Sequence, residues 1–188
     1  MSKDTILEKL RRYGARYPEE ADTVERFIRF VEQNPDCFQR SLAAGHVTGS
    51  AWVVDKTGRK VLLTHHRKLN KWLQLGGHAD GDSDVLSAAM REVEEESGLR
   101  QVRPLSSEIF DVDIHLIPER GTEEAHYHYD LRFLFVSTGD EAYTVSEESH
   151  DLSWIGVDRL HELTQEESML RMARKWKAEQ AAGGAAAG

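Results

Sequence analysis

The chain has 188 residues, 39% of them hydrophobic and 30% charged, with a formal charge of −9. That length and balance suit one well-filled core with a small appendage. The negative charge argues against broad binding to nucleic acid or an anionic membrane, but a bound cation would still admit small phosphate-bearing ligands. The one cysteine, Cys37, excludes an intrachain disulfide, and the first residues lack the apolar run of a secretory signal. A reducing cytoplasm is therefore the expected setting. No apolar segment approaches the ~20 residues that span a bilayer.

Residues 4–44 read as helical. Ile6, Leu7 and Leu10 form one short stripe, and Val24, Phe27, Ile28 and Val31 a better one, with Pro18 and Asn34-Pro35 as punctuation. An N-terminal helical extension over 1–44 would cover the main domain or a partner subunit, so that a homodimer is open; extra core for one domain is the alternative. From His46 the pattern turns to strand. Val47–Val54 and Val61–Thr64 flank Asp55-Lys56-Thr57-Gly58 and predict a hairpin. Trp72–Leu75 then leads into Gly76-Gly77. Further strands are predicted over 108–117, 126–136 and 152–155, followed by helix over 158–180. The alanine- and glycine-rich end, 179–188, reads as a flexible tail.

Between these lies the stretch that carries chemistry. Asp82, Ser83 and Asp84 are candidate N-caps, and Leu86, Met90 and Val93 form the core stripe of the helix that follows. Glu92, Glu95 and Glu96 share one side of that helix, centred roughly 130° from the stripe at about 100° per residue. Like charges at this spacing repel, and acids at a helix C-terminus oppose the dipole. Gly98 stands where a left-handed cap ends the helix. A divalent metal bound to phosphates would resolve the conflict.

Residues 77–99 resemble the Nudix box, Gly-x5-Glu-x7-Arg-Glu-U-x-Glu-Glu-x-Gly-U, where U is aliphatic. Gly77 fits its opening; Arg91, Glu92, Val93, Glu95, Glu96, Gly98 and Leu99 fit its closing half in register. The flanking pattern widens the resemblance to about 45–175. It implies an α+β fold, an α/β/α sandwich with a mixed sheet between helices, with a Nudix hydrolase domain over 45–178. It also implies Glu92, Glu95 and Glu96 as ligands of Mg²⁺ or Mn²⁺, hard ions suited to oxygen. Arg91 would orient a glutamate or the loop, and Gly76 and Gly77 would let the loop approach metals and substrate. The base would be Glu92, or Glu148 on a later loop. One position departs: Ser83 stands at the box's first glutamate, where Asp80, Asp82 or Asp84 might substitute.

Outside the box, His126, His128 and Asp130 alternate and so share one strand face. They are candidates for substrate phosphate, water orientation or a metal triad, with surface histidines as the alternative. His65 and His66 precede the Gly76-Gly77 loop and His78 follows it; His66 and His78 join the candidate substrate contacts. Trp52, Trp72 and Trp154 read as core, and Trp176 as packing for the last helix. The expected activity is metal-dependent hydrolysis of a P–O–P bond in a nucleoside diphosphate linked to another moiety, or in a nucleoside triphosphate. A catalytically weakened Nudix-fold nucleotide-binding or regulatory module is the alternative, favoured by Ser83.

Overall fold

Ser2 starts the first helix: its hydroxyl accepts from the Thr5 amide at 3.2 Å and satisfies one of the helix's open donors. The computed structural model describes residues 2–67, 69–119, 121, 124–146 and 149–185. The helices are α1 (Lys3–Arg16), α2 (Ala21–Gln33), α3 (Val85–Ser97), α4 (Leu160–Leu163) and α5 (Glu167–Ala185). The strands are β1 (Gly45–Val54), β2 (Lys60–His66), β3 (Lys71–Leu73), β4 (Leu75–His78), β5 (Val102–Pro104), β6 (Asp111–Ile117), β7 (His126–Ser137) and β8 (Ser149–Gly156). They form an eight-stranded mixed sheet in the order β3-β2-β1-β7-β5, with β4 on β1, β6 on β7 and β8 on β2. Among the described residues no helix is long and apolar enough to cross a membrane.

Two compact units divide the chain, and β1, β7 and α3 each run from one into the other. The first unit takes Met1–Ala51, Gly76–Glu92 and Ser106–Phe133. Its helices bury most of the predicted stripes, with Ile6, Leu10, Phe27 and Val31 fully enclosed; Ile28 is half-buried, and Phe30 is buried on α2 instead. Tyr129 of β7 stacks on Phe30 of α2 at 3.7 Å between ring centres and meets the Phe27 edge at 5.4 Å. Arg12 holds Glu108 through two hydrogen bonds of 3.0 and 3.1 Å.

A buried charge sits in the sheet of this unit. Register sets Asp111 opposite Arg132 and Asp113 opposite Asp130 on β6 and β7. The enclosed Arg132 guanidinium donates to Asp130 at 2.8 Å, Asp111 at 3.0 Å and Asp113 at 3.2 Å. Asp130 also accepts from the hydroxyls of Thr48 at 2.9 Å and Ser50 at 2.8 Å on β1. Burial works against a charged guanidinium, but the three carboxylates outweigh it and hold Arg132 protonated.

The second unit takes Trp52–Leu75, Val93–Leu105 and Leu134–Gly188. The predicted hairpin is present, with Val53 paired to Leu62 and Val54 to Val61. Asp55 accepts from the Lys60 amide at 2.7 Å, the Thr57 hydroxyl at 2.5 Å and the Thr57 amide at 3.2 Å, closing the turn. At the turn's end the Gly58 carbonyl accepts from Trp176 Nε1 at 2.7 Å and Gln180 Nε2 at 3.1 Å, both on α5. Trp52 and Trp176 are buried, whereas Trp72 and Trp154 are only half-buried.

Two stretches differ from the sequence expectation. Residues 34–44 are turns rather than helix, because Pro35 holds Asn34 extended (φ −119°, ψ 102°) and α2 stops there. The predicted 158–180 helix is broken after α4, where Thr164 is extended and its hydroxyl accepts from the Glu166 amide at 3.1 Å, starting α5 afresh. α5 then continues past Gln180 to Ala185, through Ala181 and Ala182 and on over Gly183 and Gly184.

Two stability measurements test this framework. Replacing Arg132 with Met leaves buried carboxylates without their cation and should cost about 3–5 kcal/mol in urea unfolding. Asp55→Ala strands the Lys60 and Thr57 amides and should cost about 1–3 kcal/mol. Burial pushes the Asp55 carboxyl up, but the Thr57 hydroxyl and the Lys60, Thr57 and Arg59 amides together hold it below the ordinary carboxylate range. A lowered folded pKa gives stability above the unfolded pKa and loses it as pH falls through the folded one. The gap between wild type and Asp55→Ala should therefore persist at neutral pH and narrow in acid.

Candidate functional site

The loop between β4 and α3 is shaped by local hydrogen bonds. Asp80, at φ +51°, is gripped by Arg40 Nε and Nη2 at 2.6 and 2.8 Å, and this pair holds its carboxyl below the usual range. Asp82 accepts from the Asp84 amide at 2.8 Å, and Asp84 caps α3 by accepting from the Ser87 amide at 3.3 Å. All three aspartates that might have replaced the missing box glutamate are thus engaged in building the loop. Ser83 is half-buried among them.

Gly77, at the end of β4, lies against the side chain of Glu92 on α3. A Cβ placed on it would lie 2.6 Å from Cδ and Oε2 of Glu92, so any side chain there would displace the carboxylate. Arg91 Nη2 points back to the His78 carbonyl at 3.4 Å. Along α3, Glu92 is half-buried, Glu95 exposed and Glu96 buried at 8% exposure. Only Glu95 of the three therefore lies fully on a solvent-facing rim. The helix ends as expected at Gly98, with φ +70° and its amide donating to the Glu94 carbonyl at 2.9 Å.

A second polar cluster lies on the first unit's sheet face. Side chains at alternate positions share a face, so β1 presents His46, Thr48 and Ser50 while β7 presents His126, His128, Asp130 and Arg132. The lower half is the Arg132 network; the upper half is imidazole. Ring centres of His46 lie 4.9 Å from His78, 4.8 Å from His128 and 5.1 Å from His126. His115 of β6, paired across the ladder with His128, lies 5.4 Å from it. Burial, then repulsion from His78 and His126, lowers His46 to about 4; burial, then His46, His115, His78 and His126, lowers His128 to about 2.

The predicted residues thus fall into separate groups. Gly77, Arg91 and Glu92 meet at the loop, and Glu95 and Glu96 follow on the same helix. His78, His126 and His128 come together, but Asp130 turns to Arg132, Thr48 and Ser50. Gly76 packs against Ser50, where a Cβ would stand 2.4 Å from its hydroxyl. His66 belongs to the other unit, where its Nδ1 accepts from the Leu69 amide at 3.2 Å. Glu148 lies outside the described residues. His46 was missed as a site candidate, although the alternation His46-Thr48-Ser50 gives it the same face as its polar neighbours.

A family model described as NUDIX domain matches residues 45–176. No curated protein matches in sequence. Among solved structures, the chain is similar to a C. elegans Ap4A hydrolase binary complex, with TM-score 0.57 and 18% identity over 72% of this chain and 98% of that one. It is similar also to a NUDIX-family hydrolase from Clostridium perfringens, with TM-score 0.54 and 25% identity over 71% and 97% of the two chains. For the E. coli dihydroneopterin triphosphate pyrophosphohydrolase the TM-score is 0.55, with 16% identity over 69% and 92%. The matched family span runs from the first strand into the last helix and contains the whole loop and acidic helix, so the chain belongs to the NUDIX family.

Proposed function

We propose that the chain is a metal-dependent hydrolase that cuts a P–O–P bond in a nucleotide-type substrate, a nucleoside diphosphate linked to another moiety or a nucleoside triphosphate. The observation that carries this reading is the seat of Glu92. Its carboxylate lies against the bare backbone of Gly77, on the helix that also presents Glu95 and Glu96. Three carboxylates within two turns of one helix offer oxygen donors of the kind that hard divalent ions accept.

Glu92, Glu95 and Glu96 would hold Mg²⁺ or Mn²⁺. When bound, such ions neutralise the diphosphate and acidify a water for attack on phosphorus. The protein's own part is positional. Gly77 keeps the loop clear of Glu92, and Arg91 ties helix to loop through the His78 carbonyl. Glu148 and Glu92 are the candidates for proton acceptor. Structural neighbours named for Ap4A and for dihydroneopterin triphosphate support phosphoanhydrides as the first substrates to screen. Ser83 supports a second reading, a nucleotide-binding module that has lost catalysis.

A panel of sugar nucleotides, ADP-ribose, dinucleotides and nucleoside triphosphates, assayed with Mg²⁺ and with Mn²⁺, separates the two. The hydrolase should release product only with metal, and Glu95→Gln/Glu96→Gln should lower turnover at least about 10²-fold, as expected for losing a group that stabilises transition-state charge. No turnover above that double variant on any substrate, with calorimetric binding that survives Glu96→Gln without metal, would establish the binding module instead. Gly77→Ala should leave the fold intact and lower turnover about 10²-fold by displacing Glu92.

A further inference from the structure

Three imidazoles from three different strands converge beside the loop: His46 from β1, His78 from the end of β4 and His128 from β7. One ring nitrogen of each lies within 4.8 Å of the other two. His46 is only 2% exposed, and neither of its ring nitrogens has a hydrogen-bond partner. Nε2 of His128 is likewise buried without one. Leaving such nitrogens unsatisfied costs about 1–3 kcal/mol each. Strand register holds the rings together here, and among the described residues those nitrogens have no hydrogen-bond partner.

We propose that His46, His78 and His128 bind a divalent transition ion of the Zn²⁺ class, in a site of different donor type from the glutamates of α3. Imidazole nitrogen suits Zn²⁺, Co²⁺ or Ni²⁺, whereas Mg²⁺ takes oxygen. Three nitrogens around a tetrahedral ion stand about 3.3 Å apart, so small ring rotations close the observed set. Ligation requires neutral imidazole, so binding should weaken as the pH falls. Neighbouring rings are oriented by further contacts. His126 Nδ1 lies 2.8 Å from the Glu124 carbonyl, and His115 Nδ1 lies 3.2 Å from Asp113, itself held by Arg132. The fourth position is left to water or a ligand oxygen. An ion here would join β1, β4 and β7 at His78, next to the glycine that seats Glu92.

The site does not depend on the hydrolase reading and is tested without substrate. The full chain, stripped with chelator, is titrated with Zn²⁺ by calorimetry and with Co²⁺ by visible absorbance, in excess Mg²⁺ throughout. We expect one ion per chain, a raised Tm, and Co²⁺ bands typical of nitrogen ligands. His78→Ala, at a half-buried strand end, should weaken Zn²⁺ binding by more than about 100-fold, beyond the loss typical of an outer partner. Glu95→Gln/Glu96→Gln should bind Zn²⁺ as tightly as wild type. Absence of saturable Zn²⁺ binding to the wild-type chain would overturn the proposal. So would unchanged binding in His78→Ala, or loss of binding in the glutamate double variant. His46→Ala adds a second ligand test where its circular dichroism is native; the His78 variant decides where it is not.

Discussion

A guanidinium enclosed in a sheet must be matched there, and Arg132 is matched three times over. The carboxylates of Asp111, Asp113 and Asp130 reach it from β6 and β7, and Thr48 and Ser50 of β1 saturate Asp130 in turn. A one-residue slip of either ladder would turn the partners to the opposite face and leave the charge alone. The network therefore fixes the register of the strands that carry the imidazoles, so the upper half of this face depends on the lower. Its energetic value lies in specifying one alignment more than in adding net stability, since a buried ion pair seldom outperforms apolar packing.

The glutamate helix depends on a different constraint, the absence of side-chain atoms at Gly77. Asp80, Asp82 and Asp84 each accept hydrogen bonds that shape the approach to that glycine. Their carboxylates look like spare metal ligands in a linear reading and are loop-building groups in the folded chain. The acidic end of α3 keeps an arrangement that local helix rules disfavour.

What could be read from the residues follows the range of the interactions involved. The hairpin at Asp55 and the helix stop at Gly98 are set by neighbours a few positions apart, so spacing alone exposed them. On α3 the buried face runs through Val85, Ala88, Ala89 and Val93 rather than Leu86 and Met90, so of the three glutamates only Glu95 is fully in solvent. The break at Thr164 was hidden because the polar run from Thr164 to Ser168 carries no proline or glycine, and only a side-chain hydrogen bond to Glu166 shows that the helix restarts. Asp130 was grouped with His126 and His128 because alternation puts all three on one face. Alternation carries no information on which groups a carboxylate pairs with, and Asp130 is taken up by Arg132 on its own strand and by Thr48 and Ser50 of β1. The meeting of His46, His78 and His128 needed the alignment of three strands far apart in the chain, which no local period encodes.

The clasp of α5 on the first hairpin bears on the order of synthesis. Gly58 belongs to the first third of the chain, but its carbonyl bonds to Trp176 and Gln180, separated from it by 118 and 122 positions. On a ribosome that carbonyl must wait, solvated, until more than a hundred further residues have been made. The hairpin can form early, but its turn is finished only when α5 arrives, and closing so long a loop defers its reward. The second unit is thus clasped by α5, and a nascent chain released short of that helix would leave the turn unclasped.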